Sequence, residues 1–232
     1  MDALGVRLRI AGRPPAGGLV VSNHISWLDI YAINALAPTA FVAKDDVRDW
    51  PLIGWLCVKT ETIFLERGSR AGAARVKEAM TAALRRSWRV GVFPEGTTGK
   101  GETVLPFHGA LFQAAIDAGA TIAPVVIRYS GRGGGTTQAP AYVGDTSLWQ
   151  CLRTIVATGG LTAHVAFLPA FAAAGSDRRQ LAARAHRLIA SRLARPSGDT
   201  AAEISADLPD VPPSGCLPTD NPSPMPAGSS PA

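Results

Sequence analysis

Cysteine is scarce in this chain. The three residues, Cys57, Cys151 and Cys216, are odd in number and far apart, which argues against a disulfide framework and for reduced thiols in a cytoplasmic setting. Uninterrupted apolar runs are also missing. Asn23, His24, Asp29, Gln113 and Asp117 break every candidate, so no stretch has the roughly 18 apolar residues expected of a transmembrane helix. The opening "MDALGVRLRI" has arginines where the apolar core of a secretory signal would lie. Histidine is rare as well: His24, His108, His164 and His186 show no metal-ligand spacing. No metal is therefore expected, and His164, alternating within an apolar strand, reads as a surface residue. The chain has no G-x-S-x-G elbow. Nor does it have a P-loop, which needs four residues between its first glycine and Gly-Lys, whereas here only Thr97 and Thr98 separate Gly96 from Gly99.

Positive charge is absent from one end. All 23 Lys and Arg lie within residues 1–195 together with 13 of the 18 acids, a net +10, and the remaining five acids leave 196–232 at −5. A surface this basic favours an anionic partner such as a membrane, a phosphorylated substrate, an acidic carrier protein or nucleic acid. Residues 196–232 are rich in Pro, Ser, Gly and acids and cannot bury enough surface to offset ordering entropy. They read as a disordered tail behind one domain spanning 1–195.

Within that domain, apolar strands alternate with helical patterns, which implies an α/β fold: a mixed, largely parallel central sheet flanked by helices. "VRLRI" and "LVVSN", joined by "GRPPAGG", read as a hairpin. Helices are expected from about Ser26 to Leu36, from Arg70 to Trp88, through "GALFQAAIDAG" with Gly119 as its stop, from Trp149 to Ala157 and from Asp177 to Arg195. Strands are expected at "AFVAK", "TIFLE", "RVGVF", "TIAPVVIRY", near Ala141 and at "LTAHVAFLP", with a flexible loop at 131–135. In the last helix Leu181, Ala185, Leu188 and Ile189 form an apolar stripe that reads as docked on the sheet with its arginines solvated, or alternatively as lying on a membrane.

Two stretches carry chemistry. "SNHISWLD" places a histidine and a carboxylate five residues apart. Inside one helix they would point roughly 140° apart, at about 100° per residue. With His24 in the loop before the helix and Asp29 in its first turn, the carboxylate reaches back to the imidazole and holds one tautomer, leaving the other ring nitrogen free to take a proton from a hydroxyl. A helix-capping role for Ser26 and Asp29 fits the same residues. "VGVFPEGTTGKG" ends a strand at Pro94 and leaves Glu95 and Gly96 at its C-terminal edge, the usual ligand side of an α/β sheet. As plain sequence it also fits an ordinary glycine-rich turn.

Taken in order, "NHISWLD", "FVAKDDVRDWPLIGWLCVKTETIFLER", "FPEGT" and "IAPVVI" resemble the four sequence blocks of the glycerophospholipid acyltransferases, whose best-known members are 1-acylglycerol-3-phosphate acyltransferases. The resemblance implies a fatty acyl group passing from coenzyme A or acyl carrier protein to the hydroxyl of lysophosphatidate, with no cofactor beyond the thioester co-substrate. By that resemblance His24 is the general base, Asp29 its orienter, Glu95 and Gly96 the wall that organises acceptor and oxyanion, and Arg67 a phosphate contact. Lys44, Thr97 and Thr98 join Arg67 as substrate-binding positions. It implies a place at the cytoplasmic face of a membrane, with a lysophospholipid as partner and no nucleic acid.

The sequence departs from the pattern in three places. Only 18 residues precede the strand at Leu19, where many members carry an apolar anchor, so attachment is expected to be peripheral or through a segment missing from this start. The apolar "WPLIGWL", with Trp50 and Trp55, and the basic surface are the candidates for it, core burial of that segment being the alternative. Glu61 stands where glycine is frequent, and Thr98 where many lysophosphatidate enzymes have arginine. The second change leaves lyso-ornithine lipid open as the acceptor. A lysolipid hydrolase using Ser22 or Ser26 beside His24, and a non-enzymatic membrane or nucleic-acid binding module, are the readings from other classes.

Overall fold

The computed structural model describes residues 5–44, 63–65 and 70–195. Eight strands form one sheet among them: β1 Val6–Ala11, β2 Gly18–Ser22, β3 Ala40–Lys44, β4 Ile63–Leu65, β5 Arg89–Val92, β6 Thr121–Ser130, β7 Leu161–Phe167 and β8 Phe171–Ala172. The helices are α1 Leu28–Asn34, α2 Arg70–Arg85, α3 Gln113–Ala118, α4 Leu148–Ala157 and α5 Arg178–Ala194, with a 3₁₀ turn, Gly109–Phe112, leading into α3. Strand order is β1-β7-β6-β2-β5-β3-β4, with β8 beside β6. Only the β6–β7 and β6–β8 pairs are antiparallel, so the mixed, mostly parallel sheet read from the sequence is the one observed.

Two cores explain the patterning. Even positions of β6, such as Ile122 and Val126, join Leu19 and Val21 of β2 in a cluster covered by α2, α3 and α5. Odd positions, Val125, Ile127 and Tyr129, join Val20 in a second cluster covered by α1 and α4. Strand β2 is buried along its whole length because it has a layer on each side. The last helix docks on the sheet as its stripe predicted, through Leu181, Ala182, Ala185, Ile189 and Leu193. Leu188 does not belong to that stripe and is exposed. Gly119 ends α3 in the left-handed region, φ 62.

Three expectations are corrected. β1 and β2 form no hairpin: β1 pairs in parallel with β7, and β7 and β6 lie between it and β2. Residues 12–17 therefore carry the chain across the sheet instead of turning it back. No strand occurs near Ala141, whose amide bonds Gln138 while that of Tyr142 bonds Ile25, single contacts and not a ladder. His164 is half-buried, not a surface residue. It faces Arg9 and Arg128 across the neighbouring strands and hydrogen-bonds the Ser130 hydroxyl at 2.7 Å. Burial, followed by Arg9 and Arg128, holds its pKa below the ordinary value.

Candidate active site

The C-terminal ends of β2 and β5 lie side by side at one edge of the sheet, and each releases a loop that carries one motif. On β2 the ladder with β6 ends at Ser22–Val125. Asn23 then continues it with its side chain: Oδ1 accepts from the Ile127 amide at 2.9 Å and Nδ2 donates to the Ile127 carbonyl at 3.0 Å. A side-chain amide has the same donor and acceptor as a peptide. The loop therefore leaves the sheet from a fixed point, and His24 follows at once.

His24 Nδ1 is 2.9 Å from Asp29 Oδ2. The same oxygen accepts the amides of Ile25 at 2.7 Å and Ser26 at 3.0 Å, and Oδ1 accepts the Tyr129 hydroxyl at 2.7 Å. Four donors converge on a carboxylate with no exposed surface. Such a group stays in place only because its lone pairs are filled. Burial, then the Asp29 charge, pushes the Tyr129 phenol well above its usual range, so it remains a donor. Asp29, in the first turn of α1, thus ties down the loop entering the helix and orients the imidazole, whereas the N-cap position is Trp27 and not Ser26 and has no side-chain cap. With Nδ1–H given to Asp29, the neutral ring keeps its lone pair on Nε2. The imidazole stacks on Phe93 at 3.9 Å and 11° and remains 19% exposed, enough to meet a substrate.

The second loop braces the first. Glu95, buried, accepts the His24 amide at 2.8 Å through Oε1 and the Leu105 amide at 2.9 Å through Oε2. Burial raises its pKa, and these two amides draw it partly back. The Gly99 amide donates to the His24 carbonyl at 2.7 Å. Glu95 therefore holds the backbone of the histidine and presents little surface of its own. Gly96, exposed at φ 70, donates its amide to the Phe93 carbonyl at 3.2 Å. Thr97 is exposed beside it, and Thr98 turns its hydroxyl to the Tyr142 carbonyl. Gly91 is where this packing demands glycine, because a Cβ there would lie 2.5 Å from the Phe41 ring. Phe41 in turn stacks on Phe93 at 5.3 Å, behind the imidazole.

His24, Asp29, Glu95, Gly96, Thr97 and Thr98 are thus gathered at one edge. Lys44 closes β3, two strands from β2. Arg67, Trp50, Trp55 and Glu61 lie outside the described residues. Sequence reasoning missed Asn23, Phe93 and Tyr129. Tyr129 had a signal, since it occupies an odd position of β6, and those positions face the α1 side. Ser22 and Ser26 are buried, at 1% and 0% exposure, so neither can reach a substrate as the nucleophile of a hydrolase.

A solvent-reachable imidazole, oriented by a buried carboxylate and without an accessible serine beside it, defines a centre for general-base transfer to an incoming hydroxyl. Comparison with known proteins agrees. A sequence model of the acyltransferase family matches residues 9–128. Over 183 residues the chain is 41% identical to a 1-acyl-sn-glycerol-3-phosphate acyltransferase of Neisseria meningitidis serogroup B, a match covering 77% of this chain and 71% of that protein. Over 189 residues it is 38% identical to a lyso-ornithine lipid O-acyltransferase of Pseudomonas aeruginosa, covering 81% and 72%. The crystal structure of a 1-acyl-sn-glycerophosphate acyltransferase from Thermotoga maritima shares the fold, with a TM-score of 0.59 at 22% identity over 84% of this chain and 76% of that one. The chain belongs to the acyltransferase family, and the enzyme is an O-acyltransferase.

Proposed function

We propose that this enzyme transfers a fatty acyl group from a thioester of acyl carrier protein or coenzyme A to the free hydroxyl of lysophosphatidate, giving phosphatidate at the cytoplasmic face of a membrane. The observation that carries the reading is the His24–Asp29 pair at 2.9 Å, with Nε2 not engaged by that bond and the ring still partly exposed. A lipid alcohol is a poor nucleophile until a base takes its proton, and a placed base contributes roughly 10²- to 10⁴-fold. Nε2 takes that proton as the oxygen attacks the thioester carbonyl. The tetrahedral intermediate collapses, the carbon–sulfur bond breaks, and the imidazolium returns the proton to the leaving thiolate. No covalent enzyme intermediate is needed. The Gly96 amide is spent within its turn, which leaves the next amide, that of exposed Thr97, as the backbone donor for the oxyanion.

A second acceptor is favoured by one observation. Thr98 stands where the family's lysophosphatidate enzymes often have arginine, and its hydroxyl is committed to Tyr142. A threonine supplies none of the bidentate charge with which arginine holds phosphate. Relatives at 38% and 36% identity are named lyso-ornithine lipid O-acyltransferases, so that acceptor is the rival. The deciding experiment offers purified enzyme both thioester donors and a panel of lysolipids, with products read by mass spectrometry. Lysophosphatidate should be acylated most efficiently, and Arg67→Ala should raise its KM. Acylation of lyso-ornithine lipid at least about tenfold more efficiently, with Arg67→Ala silent, would transfer the assignment to the phosphate-free acceptor.

A further inference from the structure

Among the described residues the two most exposed large apolar side chains are Trp149 at 69% and Val156 at 64%. Both belong to α4, seven residues apart, so they lie on one face two turns from each other. Half-buried Leu152 and exposed Arg153 fill the turn between them. The helix is well founded: Ser147 and Gln150 form a reciprocal capping box, and Cys151 and Ile155 anchor its other side in the core shared with Ile25 and Leu28. Its exposed face is thus a surface of a rigid element, not a frayed end. One exposed tryptophan on a protein surface would need no explanation. A Trp–Leu–Val stripe interleaved with arginine does.

The charge on the helix itself has one sign, and the exposed Asp145 lies before its capping box. Helix α4 contains no Asp or Glu, Arg153 has no acidic partner among the described residues, and the Arg132 side chain lies against Gly160 just past the helix. An indole suits the boundary between headgroups and acyl chains, and flanking arginines suit anionic headgroups. The helix adjoins the catalytic loop through its opposite, buried side. Tyr142, in the segment leading into α4, donates its amide to the Ile25 carbonyl at 3.0 Å, and Cys151 packs against Ser26 and Trp27.

We propose that the Trp149–Arg153–Val156 face of α4 is a membrane-docking surface that seats the enzyme on an anionic bilayer. The inference rests on the reading that the acceptor resides in a membrane. It assigns the docking to α4 instead of the "WPLIGWL" segment expected from the sequence.

The test uses the whole chain and vesicles of phosphatidylcholine with phosphatidylglycerol. The double variant Trp149→Ser/Val156→Ser, altered only at exposed positions, should bind these vesicles about tenfold or more weakly and lose turnover on vesicle-borne acceptor to match. Its turnover on a micellar short-chain acceptor should equal that of wild type. Arg153→Glu should weaken binding to the anionic vesicles and not to phosphatidylcholine alone. Vesicles with brominated acyl chains should quench wild-type fluorescence more than that of Trp149→Phe. Binding of the double variant within twofold of wild type, with equal quenching in Trp149→Phe, would overturn the proposal. So would a wild-type dimer that the double variant converts to monomer, since the face would then join two copies. Absence of acylation in wild type with every lysolipid would remove the functional reading instead, and the vesicle measurements would still decide the surface.

Discussion

Asp29 concentrates the energetics of the site. An unexposed carboxylate that filled only one of its lone pairs would cost far more than it stabilised, so each of its four donors matters beyond its own bond. Tyr129→Phe removes one donor and nothing else. Hydrogen bonds to charged groups contribute about 1.5 to 3 kcal/mol, and the melting temperature should fall accordingly. The same variant should lower kcat with KM nearly unchanged, because the phenol acts on the base through Asp29 and never meets substrate. A KM effect of equal size would place Tyr129 in the binding surface. His24→Ala should abolish transfer while leaving the fold intact, since its main-chain bonds to Glu95 and Gly99 survive, and the loss of one Asp29 donor should lower its melting temperature as Tyr129→Phe does. Retained turnover would end the general-base mechanism. At this scale the sequence was legible where partners are close in the chain. His24 and Asp29 are five residues apart, and helix geometry alone decided how they meet. Tyr129 and Ile127 lie 100 and 104 residues from their partners, a distance bridged only by the order of strands.

Among the elements, apolar runs marked most strands and a 3.6-residue stripe marked α5, because burial dictates composition directly. Pairing left no such mark. The turn-rich "GRPPAGG" looks the same whether it reverses the chain or carries it past two strands, so β1 was placed against the wrong neighbour. Short β8, two residues long, has no periodicity to read. His164 was misjudged for a related reason: an open position and a half-buried one alternate identically in sequence, and this one lies between Arg9 and Arg128 of the neighbouring strands. Its consequence is measurable. A histidine whose folded pKa is lowered is neutral in both states above its ordinary value, so it costs nothing there. As pH falls through about 6.5, the unfolded chain takes up a proton that the folded one refuses, and stability is lost. His164→Gln keeps a partner for the Ser130 hydroxyl and cannot titrate. Its melting temperature should therefore gain on wild type as pH drops from about 7.5 to 5. Parallel melting curves across that window would show that His164 does not contribute to acid sensitivity.

For the molecule as a whole, charge asymmetry is the most informative property read from the sequence. The basic residues 1–195 and the acidic 196–232 divide the chain by composition. Deleting residues 197–232 should leave turnover in detergent within about twofold and stability unchanged, because that segment lacks the apolar content to form a core. The cut spares Arg195, whose carbonyl accepts from Arg128 at 2.6 Å and so ties the end of α5 to β6. A tenfold loss of turnover would assign the tail a part in the catalytic domain.

The Asn23 side chain that stands in for a peptide at the end of β2 also sets a schedule. The base lies early in the chain, yet its loop is anchored to Ile127 and its carboxylate to Tyr129, so no fragment ending before β6 holds a working site. Contacts of such long range form late in folding, after loop closure has been offset by other gains. More than half of these 232 residues must therefore be made and folded before His24 can take a proton from an acceptor hydroxyl.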